Sequence, residues 1–404
     1  MSIKVLQILT HSKPSYSKVN SRFDEGGWHF RVAKELIKRT DKFDVECWYP
    51  EVTFKKIYIR KNKDGILVRI FPSFSLNLYL KFIEFSLPLI ISLYREIQRN
   101  KKIIIHIHGL YNPITYLIGF FIGKKAPVVV QSHGGIPARV VFSKTPSHLL
   151  RKFFYLLKHA VQFISFRNIS YFFVLSKEEK NYFSILFGQE RVKIMPMGID
   201  LRKFKPLNKN EVKEKLGLDL NKTYLLYVGR LLKSKGLKTL LVGLKYALEK
   251  LPNLELILIG EGPYENELRI ISRVLGIEKN ALFKGYIPHE ELPMYYNAAD
   301  VFVFPSLSES WGMAPLEALS CKTPVISTNV GCIPQVAKEV GGITIVPKQN
   351  SLAIKEAIIK VLDQLDYIRK EIRLEMLKKY SWDNIINELI EIYTKILKDI
   401  FQIK

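Results

Sequence analysis

The chain has 404 residues, room for two domains of ordinary size rather than one core. Hydrophobic residues make up 48% and charged residues 25%, the proportions of a folded globular protein, which excludes disordered and fibrous classes. Net charge is +24, and residues 1–200 hold 32 Lys and Arg against 14 Asp and Glu, so the first half attracts anions such as phospholipid, nucleic acid or a phosphorylated ligand.

No acidic residue occurs between Glu96 and Glu178. The opening MSIKVLQILTHSKP has too short an apolar run for a signal peptide. The longest candidate for a membrane span, Leu76–Tyr94, is interrupted by Lys81, Glu84 and Pro88. A cytosolic protein is expected. Cys47, Cys321 and Cys332 are too scattered for a disulfide framework or a metal knuckle and read as buried thiols.

Short β-branched runs alternate with segments of helical period, the pattern of parallel sheets with crossover helices. In the first half strands are expected at Lys4–Leu9, Val45–Trp48, Leu67–Phe71, Ile103–Ile107, Val128–Gln131, Tyr171–Leu175 and Val192–Met195. Helices are expected at Gly27–Arg39, Leu76–Gln98, Ile114–Ile122, Ser147–Phe166 and Lys177–Phe187. After a lysine-rich stretch, Leu201–Lys222, strands restart at Tyr224–Val228, Leu254–Ile259, Ala281–Phe283, Val301–Phe304, Pro324–Ser327 and Thr344–Val346. Helices near Leu237–Lys250, Glu265–Leu275, Glu290–Ala298, Met313–Leu319 and Leu352–Leu362 lie between and after them, with amphipathic Leu365–Lys379 and Asn384–Phe401 at the end. Two successive α/β domains follow, 1–200 and 201–382. Ligands of such sheets bind beyond the carboxyl ends of the strands.

Beyond the strand TYLLYVG come Arg230 and Lys235, in GRLLKSKG ahead of a helix. A guanidinium fork, an ammonium and a helix N-terminus suit a diphosphate, although cations after a strand are more often solvated surface residues. The run ADVFVFPSLSESWGMAPLEALSCKTPVIST is sharper: Glu309 precedes Trp311 and Gly312 at a helix start, and Glu317 lies inside that helix. Glycine at 312 lets the backbone approach a phosphate, with N–H groups through Met313 and Ala314 facing it. Carboxylates accept hydrogen bonds from sugar hydroxyls. Acids that merely complement the helix dipole would account for Glu309, but not for a second carboxylate in the apolar setting of 317.

Glu309 and Glu317 form an E-x7-E motif that resembles the retaining GT-B glycosyltransferases, specifically family four. The resemblance runs through YVGRLLKSKG, LELILIGEGP, FKGYIPHEELPMYYNAADVFVFPSLSESWGMAPLEALSCKTPVIST and the late YSW. It implies two Rossmann-like domains facing a cleft, an acceptor domain and then a donor domain, with residues from about 383 to 404 crossing back to the first. It further implies that Arg230 and Lys235 bind the donor diphosphate, Glu317 the ribose, and Glu309 the donor sugar, helped by backbone amides from Trp311 to Ala314. Gly260–Pro263 and the turn at Lys284 and Gly285 resemble the walls of the nucleotide pocket. In the first half, Gly26–Gly27 resembles the family's glycine loop, and His133, in VVVQSHGG, the histidine near the donor sugar. The run MPMGID, Met195–Asp200, resembles the hinge, with methionine at 197 where asparagine is common.

The expected reaction is transfer of a hexosyl group from a nucleotide diphosphate sugar to a glycan or lipid-linked acceptor, in polysaccharide or cell-envelope synthesis. The chain has no Asp-x-Asp, so no metal and no other cofactor is expected. With no carboxylate near His133 in sequence, same-face attack is favoured over a covalent intermediate. Rival readings are a GT-B nucleotide-sugar epimerase or hydrolase and, ranked lower, a basic nucleic-acid-binding protein, which no motif supports, so no nucleic-acid partner is expected. The basic first half, with Leu149–Phe163 carrying Arg151, Lys152 and Lys158 among phenylalanines, makes an anionic membrane surface a candidate partner.

Overall fold

The computed structural model describes residues 2–10, 28–75, 84–110, 112–133 and 160–401. Gly26, Gly27 and the stretch carrying Arg151, Lys152 and Lys158 lie outside the described residues. The chain divides into two compact units, Met1–Pro196 with Ile385–Lys404, and Met197–Asn384.

The first unit is built on a sheet whose strands run in the order β10 (Val192–Ile194), β9 (Tyr171–Val174), β8 (Val128–Gln131), β7 (Ile103–His108), β1 (Ile3–Leu9), β2 (Phe43–Glu51), β4 (Leu67–Pro72) and β3 (Tyr58–Lys61). Its central strands β1, β2, β7 and β8 pair in parallel. Every residue of the IIIHIH strand β7 is buried, as expected where helices cover both faces of a parallel sheet. The sheet reverses direction of growth at β1, which pairs with both β2 and β7. The core on one face gathers Ile105, Ile107 and Val130 with Leu93, Ile118 and Phe172.

Two expectations fail here for identifiable reasons. Of the helix expected over Leu76–Gln98, residues 76–83 lie outside the described residues, and among those described it begins only at Leu87. Glu84–Phe85 (β6) instead pairs antiparallel with Phe74–Ser75 (β5), and Ser86 caps the helix, accepting from the Leu89 N–H at 3.3 Å. Ser-Leu-Pro is a helix-start signature, with proline where its missing N–H costs nothing. The other miss is β3 (Tyr58–Lys61), antiparallel to β4 (Leu67–Pro72) and mostly exposed. A basic edge strand buries no face, so it shows no apolar alternation to read.

The second unit carries a fully parallel sheet of order β13-β12-β11-β14-β15-β16. Its members are β11 (Thr223–Val228), β12 (Leu254–Ile259), β13 (Ala281–Gly285), β14 (Val301–Phe304), β15 (Val325–Thr328) and β16 (Ile343–Val346). The order switches at β11, which lies between β12 and β14. The lysine-rich stretch conceals a helix, Lys209–Lys215, capped by Asn208, and Ile333–Val340 is a further helix. The segment expected as one helix from Leu365 breaks after Glu371 and resumes as a 3-10 turn, Leu374–Tyr380. The MPMGID run meets the late YSW within this unit: Ile199 bridges Ser381, and the Trp382 N–H donates to the Ile199 carbonyl at 3.0 Å. The final helix, Trp382–Phe401, contributes its residues from Ile385 onward to the first unit.

Candidate functional site

In the second unit the candidate residues stand beyond the carboxyl ends of β11, β12 and β14 and in the last residues of β13, on both sides of the switch point. After β11, Arg230 is exposed, and among the described residues its guanidinium has no partner. The chain then turns through Lys233–Lys235 and enters the helix Leu237–Leu248 at Gly236. That glycine has φ +67°, and a Cβ there would lie 2.1 Å from the Pro305 carbonyl oxygen. Only glycine lets the turn pack this tightly on the end of β14. The Leu307 N–H donates to the Ser234 carbonyl at 2.8 Å, tying the two loops together.

This packing brings Lys235 to Glu309, with Nζ 2.5 Å from Oε1, and Ser306 Oγ donates to the same oxygen at 2.7 Å. Both charged side chains are largely covered, 16% and 13% exposed. Tyr227 lies against the same groups: its hydroxyl donates to the Arg230 carbonyl at 3.0 Å, and burial together with the Glu309 charge pushes its phenol well up.

Glu309 leads into Gly312, whose φ of +97° turns the chain into the helix Met313–Ser320. No side chain caps that helix, and none of the N–H groups of Gly312, Met313 and Ala314 finds an acceptor among the described residues. Such a start is a ready anion site beside the Lys235 ammonium. The Trp311 side chain is buried, and its carbonyl accepts from the Cys332 N–H at 2.8 Å. Gly260 follows β12 directly, its N–H donating to the Gly285 carbonyl at 2.7 Å, and Lys284 is exposed on β13.

Glu317 is 6% exposed, and the partners that burial requires are present. His289 Nε2 lies 2.8 Å from Oε1, and the Tyr296 hydroxyl donates to Oε2 at 2.8 Å. On the far side of the imidazole, Lys203 Nζ is 2.9 Å from Nδ1 and pairs with Glu290 at 3.1 Å. Sequence reasoning missed Lys203, His289, Tyr296 and Ser306. His289 stands in the FKGYIPHEELP run, but its contact with position 317 is a product of the fold.

In the first unit, His133 stands two residues beyond β8, with Nε2 3.0 Å from His108 Nδ1. A chain of contacts continues inward: His108 Nε2 to Gln7 Oε1 at 2.6 Å, Gln7 Nε2 to the Tyr393 hydroxyl at 3.2 Å, and that hydroxyl to His106 Nδ1 at 2.6 Å. His106 and His108 are completely buried; burial, with the nearby His133, pushes His106 down to about 3. Glu179 reaches Ser132, accepting from its hydroxyl at 2.8 Å and from the Leu175 N–H at 3.0 Å. Gly27 lies outside the described residues.

Among the described residues no group of three His, Cys, Asp or Glu side chains could hold a metal ion, and no helix is long and apolar enough to cross a membrane.

The sequence pattern of Glycosyl transferases group 1 matches residues 208–379, and that of Glycosyltransferase Family 4 matches residues 30–203. The chain is similar to the Uncharacterized glycosyltransferase MJ1607 of Methanocaldococcus jannaschii, 30% identical over 246 residues, covering 58% of this chain and 62% of that protein. It is also similar to the UDP-Gal:alpha-D-GlcNAc-diphosphoundecaprenol alpha-1,3-galactosyltransferase of Escherichia coli, 27% identical over 75% of this chain and 78% of that protein. Its fold matches Sucrose-phosphate synthase from Thermosynechococcus elongatus with a TM-score of 0.74 at 18% identity, covering 98% of this chain and all of that one. With both halves matched in order and the whole chain following that fold, the protein belongs to the group 1 glycosyltransferases of family 4 and has the GT-B fold.

Proposed function

We propose that this glycosyltransferase moves a hexosyl group from a nucleotide diphosphate sugar to a lipid-linked or cell-envelope glycan acceptor, with retention of anomeric configuration and without a metal. The observation that carries the reading is the Lys235–Glu309 contact beside the uncapped start of the helix Met313–Ser320. It sets a cation and three free N–H groups for the diphosphate next to a carboxylate for sugar hydroxyls. Arg230, unpartnered at the end of β11, supplies a second cation.

In this reaction the bond between the anomeric carbon and the diphosphate oxygen breaks. Negative charge gathers on the leaving diphosphate, where Arg230, Lys235 and the helix start stabilise it by preorganised charge. The acceptor hydroxyl oxygen bonds to the anomeric carbon on the face the diphosphate leaves, and its proton passes to a diphosphate oxygen. Glu309 orients the sugar, Glu317 the ribose, and Gly260 and Lys284 border the nucleotide. His133 stabilises the positive charge that develops on the sugar.

The acceptor reading is supported by the Escherichia coli relative, whose name specifies a diphosphoundecaprenol-linked sugar, and by a surface of the first unit. There Leu87, Ile91, Tyr94, Phe120 and Phe121 are exposed, and Lys125 Nζ lies 4.2 Å over the Tyr94 ring. Apolar side chains beside cations suit the interface of an anionic membrane, which supports a peripheral position of the enzyme at such a surface.

The test is thermal stabilisation by UDP, GDP and ADP sugars, followed by product analysis with polyprenyl-diphosphate-linked acceptors in the presence of EDTA. Transfer with retained configuration supports the proposal. Sugar release without acceptor dependence, or a strict manganese requirement, overturns it.

A further inference from the structure

The polarity of the contacts around Glu317 is fixed by chemistry. The Lys203 ammonium has three donors and no acceptor, so the His289 Nδ1 that it meets at 2.9 Å is unprotonated. The imidazole therefore carries its hydrogen on Nε2 and donates it to Glu317 Oε1 at 2.8 Å. From the other side, the Tyr296 hydroxyl donates to Oε2 at 2.8 Å. Each carboxylate oxygen receives one protein donor and keeps one acceptor site. What remains is a rigid pair of acceptors, the complement of a vicinal diol.

We infer that His289, held in its Nε2–H form by Lys203, acts with Tyr296 as a clamp that aims Glu317 at the two ribose hydroxyls of the donor nucleotide. His289 and Lys203 are positioning residues, and ribose discrimination is their function. The inference rests on the proposed role of Glu317. The side chain of Glu317 is only 8% exposed against 36% for His289, so the carboxylate is oriented by protein donors rather than by bulk water. The imidazole edge also packs against Phe204 at 5.1 Å between ring centroids, which fixes its plane. Lys203 is itself steadied by Glu290 at 3.1 Å.

The experiment compares binding of UDP, GDP or ADP, whichever the wild type retains, with binding of the matching 2′-deoxynucleoside diphosphate. In His289→Ala the preference for ribose falls by about tenfold, the worth of a hydrogen bond to a charged group, while affinity for inorganic diphosphate is unchanged. His289→Gln restores most of the preference, because its amide oxygen can accept from Lys203 and its NH2 can donate to Glu317. Nitrogen-15 spectra of the wild type should show His289 as the Nε2–H form, and Lys203→Met should release it to a mixture of tautomers. If Glu317→Ala keeps the ribose preference, the proposed role of Glu317 is wrong. If Glu317→Ala loses it and His289→Ala keeps it, the role stands and the clamp is overturned; an Nδ1–H form of His289 in the wild type overturns the clamp as well.

Discussion

Lys235 and Glu309, 74 positions apart, share a contact of 2.5 Å in which the carboxylate holds the cation proposed for the diphosphate. Nucleoside diphosphate must therefore draw Lys235 from a carboxylate that neighbours it, and the two substitutions have opposite effects. Lys235→Met should weaken free nucleoside diphosphate by about ten- to a hundredfold, the loss of a charge-assisted contact. Glu309→Gln should leave that affinity equal or higher, by removing the competing charge, while most transfer is lost. Calorimetry with the free diphosphate checks both, and an equal fall in the two variants contradicts the arrangement.

The Tyr393 hydroxyl joins Gln7 at 3.2 Å to His106 at 2.6 Å, deep beneath His133. Tyr393→Phe keeps the ring, which packs edge-on to Phe43 at 5.9 Å, but leaves two buried polar groups short of a partner. A loss of about 1–3 kcal/mol is expected, read from chemical denaturation. Full stability in the variant would mean that the hydroxyl is dispensable to this buried chain.

Much of this was legible in the sequence because both sheets are parallel and buried. Runs such as LELILI and VFVF carry their strand identity without context, and Gly-Met-Ala-Pro at 312–315 announces a helix start. The elements that stayed hidden lacked an apolar signature: the basic edge strand Tyr58–Lys61 and the helix inside the lysine-rich stretch, whose N-cap Asn208 was the only cue. At the candidate site the acids and cations could be found by residue type and spacing. Their partners could not, because His289 and Tyr296 reach Glu317, and Lys203 reaches His289, only once separate stretches of the chain have packed together. Glu179 shows the same limit, since it stands 47 positions from Ser132 and meets it only once β8 and β9 (Tyr171–Val174) pair.

At the opposite end of the first sheet, Lys4, Glu46, Glu96 and Arg69 form a buried charge cluster, with Lys4 Nζ 2.7 Å from Glu46 and 2.9 Å from Glu96. Burial acts to raise the Glu46 pKa, but hydrogen bonds from Lys4, Trp48 and Arg69 outweigh it and hold the carboxyl below its ordinary value. A depressed carboxylate contributes stability that is complete above its unfolded pKa, about 4.3, and is lost as pH falls through the lower folded value. Denaturant midpoints of the wild type should therefore drop below about pH 4. Glu46→Gln should be less stable at neutral pH and lose less on acidification. Parallel acid limbs in the two proteins would contradict this contribution of Glu46.

The last expectation concerns the exposed surface formed by the helices Leu87–Arg99 and Pro113–Phe121. Leu87, Ile91, Phe120 and Phe121 are 54%, 43%, 49% and 54% exposed, and Lys124 and Lys125 follow immediately in the chain. An apolar side chain that dips into lipid gains by burial, and a basic residue near an anionic leaflet adds about 1 kcal/mol. Neither contribution anchors a protein alone, so binding should be reversible and require both. The full chain should co-sediment with vesicles containing phosphatidylglycerol and remain in the supernatant with phosphatidylcholine alone. Binding should fall as salt rises, because screening weakens attraction between charges at the surface. Neutralising Lys124 and Lys125 together should lower affinity by about tenfold or more at low salt, and Phe120→Ser with Phe121→Ser should lower it at every salt concentration. The two pairs then separate the electrostatic contribution from the apolar one. If neither pair of substitutions changes vesicle binding, this surface is not the one that docks; if the wild type does not bind anionic vesicles at low salt, the membrane reading fails and the acceptor must be met in solution.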